Sequence, residues 1–513
     1  MSEIGQSTEE LSKELYDFCH SHLLSEEGLR EIIDRHGLKP NNTHLSNYEF
    51  FFEACFNERI TEGIIQCLLA YFPAAGSGVT DEIGRSPLHC VCMNNSATLN
   101  IIQRLIEAAP DTVRSATNNN GFTPLHFLCK IRKVGEAAAI QILTLLIEAS
   151  PDAVRHADNN GRLPIHWASL MGRSLDFCRL LIEAYPGSER ITTTNGALPL
   201  HVACARNSLA TVEYFFSLYP AAIAHTTTRG GIYPIHTAIL DIKERDCPLV
   251  AVKVVQFLLD CDPNVKLQKC DGKSLLHFAC GQLYYDSNST ISAAIEMIKA
   301  IYDSHPEAIE DDEITSEIQH CHQRIQAFLN SQLVYARQAK DLRLMTTPDS
   351  KGKLPLHTAL QNKVMFGSIR LLVKGNPHAL QSPDNSGALP LHIACQHHDS
   401  ASVRRRCFLH YWSRNIIQYL LELDASTLGT VDREGNTALH YACRGAKYDI
   451  IALLLGKYDA VSVSKRNVHG KLPIDLLWES NEVSDRESLK HTEMVFRLMR
   501  AYPEIVAVSD LTF

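Results

Sequence analysis

The sequence is rich in two residue types that bind metals and take part in catalysis. It contains 24 histidines and 16 cysteines among 513 residues. Histidine transfers protons near neutral pH, and histidine with cysteine can bind zinc or form a nucleophilic pair. Nine histidines, however, occupy one position of a repeated phrase, and six cysteines each follow such a histidine by three residues. This regularity favours a structural role, so we predict no catalytic residue, no metal ligand and no cofactor.

The repeated histidines and cysteines are expected to be buried. A buried imidazole needs hydrogen-bond partners, and a repeated position supplies the same partner each time. A buried thiol acts as a small hydrophobe. The histidines are His89, His126, His166, His201, His236, His277, His357, His392 and His440, and the cysteines are Cys92, Cys129, Cys204, Cys280, Cys395 and Cys443.

Outside the phrase, His320, Cys321 and His322 form the nearest grouping that could do chemistry. Adjacent residues of a helix point in different directions and do not clamp one ion together, so we do not interpret them as ligands. No GxxxxGK[ST] or GxGxxG sequence is present, and nucleotide binding is therefore unsupported.

The repeated phrase occurs ten times. The shortest and commonest interval between the glycines that begin the copies is 35 residues, and one interval of 80 residues indicates a large insertion. They read GRSPLHCVC, GFTPLHFLC, GRLPIHWAS, GALPLHVAC, GIYPIHTAI, GKSLLHFAC, GKLPLHTAL, GALPLHIAC, GNTALHYAC and GKLPIDLLW, starting at Gly84, Gly121, Gly161, Gly196, Gly231, Gly272, Gly352, Gly387, Gly435 and Gly470.

Each copy predicts a turn followed by two helices. The glycine often follows Asn or Asp, as in Asn160-Gly161, which is a strong signal for a tight hairpin. A proline three residues later, such as Pro164, suits the first turn of a helix. Apolar residues spaced by three and four then indicate a second amphipathic helix, which most copies end at a proline.

This unit resembles the ankyrin repeat, whose phrase runs Asp-x-x-Gly-x-x-Pro-Leu-His-x-Ala. The resemblance covers residues 81–513, with 35 residues per unit instead of about 33 and a proline loop after the second helix. It implies an all-α fold, an ankyrin-repeat solenoid of stacked helix-turn-helix units with β-hairpin tips. It also implies that the phrase histidine hydrogen-bonds to backbone groups of the adjoining turns.

The resemblance further implies a site for a partner protein. In ankyrin repeats the hairpin tips and the first helices line a concave face, whose side chains are free to specify a partner. The corresponding candidates here flank the turn glycines or follow the Ala-Cys pair. They are Asn159, Asn160, Arg162, Thr194, Asn195, Arg206, Asn385, Gln396, His397, Arg433, Glu434 and Arg444.

A further candidate contact is the sequence VRRRCFLHYWSRN in the eighth unit. It contains Arg404, Arg405, Arg406 and Trp412, in a chain with only three tryptophans. Arginine and tryptophan often dominate the binding energy of interfaces. The alternative is a second helix extended backwards by about three turns, since Phe408 and Trp412 follow helical spacing and could pack on a neighbouring unit.

The patterns divide the chain into six segments. End units of a repeat array are expected to be atypical, and the exposed first face must be covered. In residues 312–346 the apolar residues follow steps of three and four without Gly or Pro. The predicted segments are an N-terminal helical cap, 1–45; a degenerate first repeat, 46–80; ankyrin repeats, 81–311; an inserted long helix, 312–348; ankyrin repeats, 349–466; and a C-terminal capping repeat, 467–513.

Composition narrows the class of partner. The net charge of −9 comes from 49 basic and 58 acidic residues without a basic face, which argues against nucleic acid. No apolar run reaches the ~18 residues of a membrane span, and the first residues lack the apolar core of a signal peptide. The expected location is the cytoplasm, and these features leave a nuclear presence open.

These observations predict a non-enzymatic scaffold or adaptor, expected to be a monomer, that binds one or more unidentified partner proteins and contacts neither nucleic acid nor membrane. One alternative is an enzyme or regulator with a hidden active site and ankyrin repeats as its targeting arm. The segments outside the repeats, however, are far shorter than the ~100 residues of a typical catalytic domain. The other alternative is a structural spacer or self-assembling protein, which would associate with itself.

Overall fold

The computed structural model describes most of the chain and divides it into two compact units. Unit 1 comprises residues 1–297 and unit 2 residues 298–513. The unit boundary therefore falls before the insertion, which lies in unit 2. The described residues are 2–40, 45, 48–76, 82–132, 135–282, 288–310, 312–397, 409–457, 463–480 and 488–501.

Helices account for the regular structure of both units. Those that lie in or begin in unit 1 are α1 Ser2–His20, α2 Glu26–Arg35, α3 Glu49–Phe56, α4 Glu62–Tyr71, α5 Pro73–Gly76, α6 Pro87–Cys92, α7 Leu99–Ala108, α8 Pro124–Lys130, α9 Glu136–Ala149, α10 Pro164–Leu170, α11 Leu175–Ala184, α12 Pro199–Arg206, α13 Leu209–Leu218, α14 Pro234–Leu240, α15 Pro248–Cys261, α16 Leu275–Cys280 and α17 Asn288–Ser304.

The helices that begin in unit 2 continue the alternation of short and longer elements after the insertion. They are α18 Asp312–Ile318, α19 Gln323–Lys340, α20 Leu342–Thr346, α21 Pro355–Gln361, α22 Phe366–Gly375, α23 Pro390–Gln396, α24 Leu409–Leu423, α25 Ala438–Arg444, α26 Tyr448–Leu455, α27 Pro473–Trp478 and α28 Ser488–Ala501.

Each unit is built of two layers. In unit 1 the first helices of successive repeats, from α6 to α16 in even numbers, pack on one another, and the second helices, from α7 to α15 in odd numbers, pack on one another. In unit 2 the first helices α21, α23, α25 and α27 pack in the same way. The apolar faces of both layers form the core, so the predicted all-α ankyrin-repeat solenoid of stacked units is confirmed.

The turn around each phrase glycine, here called a tip, is fixed by local hydrogen bonds. In the tip of Gly161, Asp158 donates its backbone N–H to the carbonyl of Arg162 at 2.9 Å, and its carboxylate accepts the N–H groups of Asn160 and Arg162, both at 2.8 Å. The chain reverses as a hairpin would. In the described part of the chain, however, the tips form no β-strand and only one isolated bridge, between Cys270 and Lys273.

Backbone hydrogen bonds connect neighbouring tips within each unit. The donor is the backbone N–H of the residue two or three positions before the phrase glycine, and the acceptor is a carbonyl of the preceding tip. These bonds stack the tips at a fixed spacing. The bonds run from Asn118 to Ile83, Asn159 to Asn120, Thr194 to Asn160 and Thr228 to Asn195 in unit 1, and from Asn385 to Lys351, Arg433 to Ser386 and Val468 to Glu434 in unit 2.

These connections explain why glycine is needed at Gly161. Its φ is +70°, and a Cβ there would lie 2.9 Å from the backbone nitrogen of Thr194. Gly272 has a similar φ of +77° but no atom within 4 Å of the equivalent Cβ position. We expect Gly272→Ala to destabilise unit 1 by about 1 kcal/mol through backbone strain, and Gly161→Ala by roughly 2–3 kcal/mol, because the tips must also separate.

Urea denaturation of the two alanine variants measures this difference. Because both glycines lie in unit 1 and both have positive φ, Gly272→Ala is the matched control for strain alone. Equal losses in the two variants would show that the close approach of the tips contributes nothing.

The C-terminal ends of several first helices are capped by side chains from the next repeat. Asn94 donates to the carbonyls of Cys55 and Asn57, both at 2.8 Å. In the same way, the Arg245 guanidinium donates to the carbonyl of Cys204 at 2.5 Å, and the Lys447 ammonium donates to the carbonyl of Cys395 at 2.8 Å. Cations suit this position because carbonyls and the helix dipole concentrate negative charge there.

Most second helices end where a proline begins a short 3₁₀ turn, as the proline-ended pattern predicted. The proline lacks the N–H that would continue the α-helix. The turns that begin with proline are Pro110–Val113, Pro151–Arg155, Pro220–Ala224, Pro306–Glu310 and Pro377–Gln381; the others are Ser188–Arg190, Ile242–Glu244, Val265–Leu267 and Ala425–Gly429.

Both ends of the chain carry helix pairs without the full phrase. At the N-terminus α1 packs on α3 and α2 on α4, burying Leu15 and Leu29. At the other end α27 packs on α25 and α28 on α26. Asp475 replaces the phrase histidine in α27, and its carboxylate accepts the N–H of Leu472 at 2.7 Å.

The insertion differs from the single long helix predicted for residues 312–348, because it forms α18, α19 and α20. Local caps explain the breaks. The ring of His322 accepts the N–H of Arg324 at 3.3 Å, and the carboxylate of Asp341 accepts that of Arg343 at 2.9 Å. The longest piece, α19, packs on α22 of unit 2.

Within the residues that the structure describes, no helix is both long and apolar enough to cross a membrane.

Candidate functional site

Five of the phrase histidines bond to a carbonyl in or just before the next tip: His89, His126, His201, His392 and His440. In unit 1, His126 accepts the N–H of Thr123 at 3.2 Å through Nδ1 and donates from Nε2 to the carbonyl of Arg162, in the next tip, at 3.1 Å. His201 makes the same pair of bonds with Leu198 and Ile232, both at 3.2 Å. In unit 2, His440 bonds to Thr437 and Lys471. The predicted hydrogen bonds to adjoining turns are confirmed for these residues.

Burial keeps these imidazoles neutral. Desolvation lowers the pKa of His126, His166, His201, His236 and His440 to about 4. A neutral ring can accept at Nδ1 and donate at Nε2 at the same time, as the hydrogen bonds of His126, His201 and His440 require. Burial also raises the pKa of the Cys204 and Cys395 thiols, three residues after their phrase histidines, to about 12. These thiols therefore stay protonated and unreactive.

We expect His201→Ala to destabilise unit 1 by roughly 1–3 kcal/mol, because the N–H of Leu198 and the carbonyl of Ile232 both lose their partner in a buried position. Thermal unfolding of the variant measures the loss. A variant that kept its full melting temperature but lost binding would contradict the structural role of the histidine.

The residues of the His320, Cys321 and His322 grouping bond to separate backbone groups. The His320 ring bonds to the carbonyl of Ser316 at 3.0 Å, the Cys321 thiol lies 3.4 Å from that of Glu317, and His322 caps α19. In the part of the chain that the structure describes, no group of three or more His, Cys, Asp or Glu side chains could hold a metal ion.

The predicted partner residues of unit 1 lie at the surface around the tips. Asn159, Asn160, Thr194, Asn195 and Arg206 are exposed. Two of them also tie the tips together, because the Asn159 amide donates to Asn119 at 2.9 Å and the Thr194 hydroxyl to Asn160 at 3.0 Å.

Two arginines of unit 1 contact other side chains. Arg162 is half-buried and lies over the ring of Trp167. Arg206, at the end of α12, lies 3.6 Å from the carboxylate of Glu244.

The predicted partner residues of unit 2 occupy equivalent places. Asn385, Gln396, Arg433, Glu434 and Arg444 are exposed, and His397 is half-buried. The Asn385 amide donates to Ser350 at 3.2 Å. Arg444 borders a cleft of about 460 Å³, which is also lined by Asn467, His469, Lys471, Leu476, Glu479 and Ser480.

The arginine-rich candidate segment falls largely outside the described residues. Arg404, Arg405 and Arg406 lie there, and of Trp412 only its place in the helix α24 is described. Because α24 begins at Leu409, the second part of the segment is helical, as the alternative of an extended second helix requires.

An aspartate and an aromatic residue form a contact that the sequence patterns did not reveal. The indole N–H of Trp167 donates to Asp158 at 3.0 Å, and the hydroxyl of Tyr441 in unit 2 donates to Asp432 at 2.6 Å. Both pairs are nine residues apart, and both aspartates also accept the amides of their own tip. The spacing, repeated in two units, is the signal that could have shown this contact.

Comparison with known protein families finds ankyrin repeats in both units. Residues 132–226 match the family described as ankyrin repeats, in three copies, and residues 434–468 match the family described as ankyrin repeat. A search of the curated proteins finds no match. The matched residues contain the tips of Gly161, Gly196 and Gly435 with His166, His201 and His440, and both units of the chain therefore contain ankyrin repeats.

Proposed function

We propose that this protein is a non-enzymatic scaffold or adaptor that binds partner proteins through the face formed by its tips and the adjoining ends of its first helices. Ankyrin repeats are generally protein–protein interaction modules, and that general role supports the proposal. The partner is one or more proteins, and the expected location is the cytoplasm.

The main support for the proposal is that the residues that hold a tip in place differ from the residues that it exposes to solvent. Backbone groups and buried side chains such as Asp158 and His126 hold the tip, while neighbouring side chains such as Asn160 and Asn195 are exposed. The backbone that carries these exposed side chains is already fixed, so it loses little conformational entropy on binding, which favours recognition at the tips.

Binding is tested with the full-length tagged protein and variants that block the face in each unit. Asn160→Lys with Asn195→Lys blocks unit 1, and Arg433→Glu with Arg444→Glu blocks unit 2. The backbone hydrogen bonds of these residues remain available in the variants. Asn264→Lys, an exposed loop position after α15, is the control.

Proteins captured by the wild type are identified by mass spectrometry, purified and titrated by calorimetry. At least one blocking pair should weaken binding tenfold or more at unchanged melting temperature, while Asn264→Lys should leave binding intact. Equal binding by every variant would contradict the proposed face. Light scattering that showed stable self-association without a captured partner would favour a self-assembling protein instead.

A further inference from the structure

Trp167 is held rigidly in unit 1, on the first helix α10. Its side chain is only 7 % exposed, and its N–H donates to Asp158 at 3.0 Å. The other carboxylate oxygen of Asp158 accepts the N–H groups of Asn160 and Arg162. The tip and the ring are therefore fixed by one carboxylate, and the ring turns little relative to the tip.

Two cations share this ring. The Arg162 guanidinium lies 4.9 Å from the centre of the Trp167 ring, and the Lys130 ammonium lies 5.1 Å from it and 5.0 Å from the ring of Phe122. The aromatic ring attracts both cations and holds each of them beside it. We call Lys130, Arg162, Trp167, Phe122 and Asp158 the Trp167 platform.

The platform differs from other cation–aromatic pairs of unit 1 in its charge balance. Arg155 over Tyr185, Arg173 over Phe177, Arg179 over Tyr214 and Arg190 over Tyr219 each form an ion pair with a nearby acid, at 3.0–3.7 Å.

Lys130 and Arg162 form no ion pair with any acid in the described ranges. Asp158 is the acid bonded to the ring, and both of its oxygens are already used. Two half-buried cations therefore lie over the Trp167 ring without a carboxylate of their own in the described ranges.

We propose that the Trp167 platform binds an acidic segment of a partner protein, whose carboxylates pair with Lys130 and Arg162. The proposal rests on the proposed function and names the chemistry of its partner. Cations that are held in place lose less entropy on binding than free ones, and partial burial strengthens their attraction to a carboxylate. The exposed side chains of Asn160 and Asn195 on neighbouring tips offer amides to the backbone of the same segment.

The probe is a short fluorescein-labelled peptide rich in glutamate, compared with the same peptide carrying glutamine at every glutamate. Fluorescence anisotropy with the purified full chain measures both affinities. Lys130→Gln with Arg162→Gln removes the charges but leaves the Arg162 backbone bonds to His126 and Asp158 available. Arg155→Gln is the matched control, because it removes the charge of an arginine that lies over a tyrosine elsewhere in unit 1.

We expect the wild type to bind the glutamate peptide at least tenfold more tightly than the glutamine peptide. The double variant should lose that preference at unchanged melting temperature, and Arg155→Gln should keep it within twofold. The affinity should also fall as salt is added, because exposed charges are screened.

Three results would overturn the proposal: no preference for glutamate, an equal loss in Arg155→Gln, or inorganic phosphate that competes as well as the unlabelled peptide. Single variants at Lys130 and Arg162 provide a second measurement if the double variant is unstable. A captured partner could fail to bind the blocking pairs of the proposed function and still bind the Lys130→Gln, Arg162→Gln double variant normally. That result would refute the acidic contact and leave the proposed function standing.

Discussion

Lowering the pH from 7 to 5 is expected to reduce the free energy of unfolding of unit 1 steeply. Burial lowers the pKa of His126, His166, His201 and His236 from 6.5 to about 4. Between these two values the unfolded chain takes up protons that the folded unit does not. The stabilisation is complete above pH 6.5 and is lost as the pH falls towards 4, by up to about 1.4 kcal/mol per pH unit for each histidine.

Urea denaturation of a variant with Trp167 as its sole tryptophan measures this loss. Replacing Trp412 and Trp478 by phenylalanine leaves fluorescence that reports on unit 1 alone. Most carboxylates titrate below pH 5, so the window from 6.5 to 5 isolates the histidines. An unfolding free energy that stayed constant through this window would contradict the neutral, buried state of these rings.

The second large effect is expected for Arg173→Met, which should destabilise unit 1 by roughly 3 kcal/mol. The Arg173 side chain is only 2 % exposed. It donates to the carbonyls of Leu128, at 2.6 Å, and of Ile131, and to the carboxylate of Glu136 at 3.0 Å. Methionine fills the space but leaves the end of α8 without its donor.

Arg179→Met is the control for Arg173→Met. Arg179 also lies over an aromatic ring and pairs with Asp176, but its side chain is 44 % exposed. We expect it to cost less than about 0.5 kcal/mol. Similar melting temperatures for the two variants would show that capping of α8 from the next repeat does not stabilise the unit.

The sequence allowed the repeated features to be predicted because each depends on neighbours in the chain. A glycine with positive φ, a proline at the first helical turn and a histidine three residues after its N–H donor act within one tip. These residues placed the helix pairs and the structural histidines correctly. The insertion departed from prediction because caps at His322 and Asp341 overrode its apolar periodicity.

The capping residues were not predicted because their partners are distant in sequence. Arg173, Arg245 and Lys447 bond to carbonyls about 40–50 residues earlier, and no local pattern identifies a carbonyl as an acceptor. The Trp167 platform joins residues of two successive repeats, from Phe122 to Trp167, and was missed for the same reason. The tip residues remain candidates on the strength of their exposure.

Hydroxyl-radical footprinting of the full chain with a captured and purified partner shows directly whether the tips bind that partner. We expect protection of reactive side chains at the tips, such as Ile83, Val468 or His469, and unchanged oxidation of exposed second-helix residues such as Phe496. Protection confined to the second helices, with the tips oxidised as in the free protein, would contradict the proposed face.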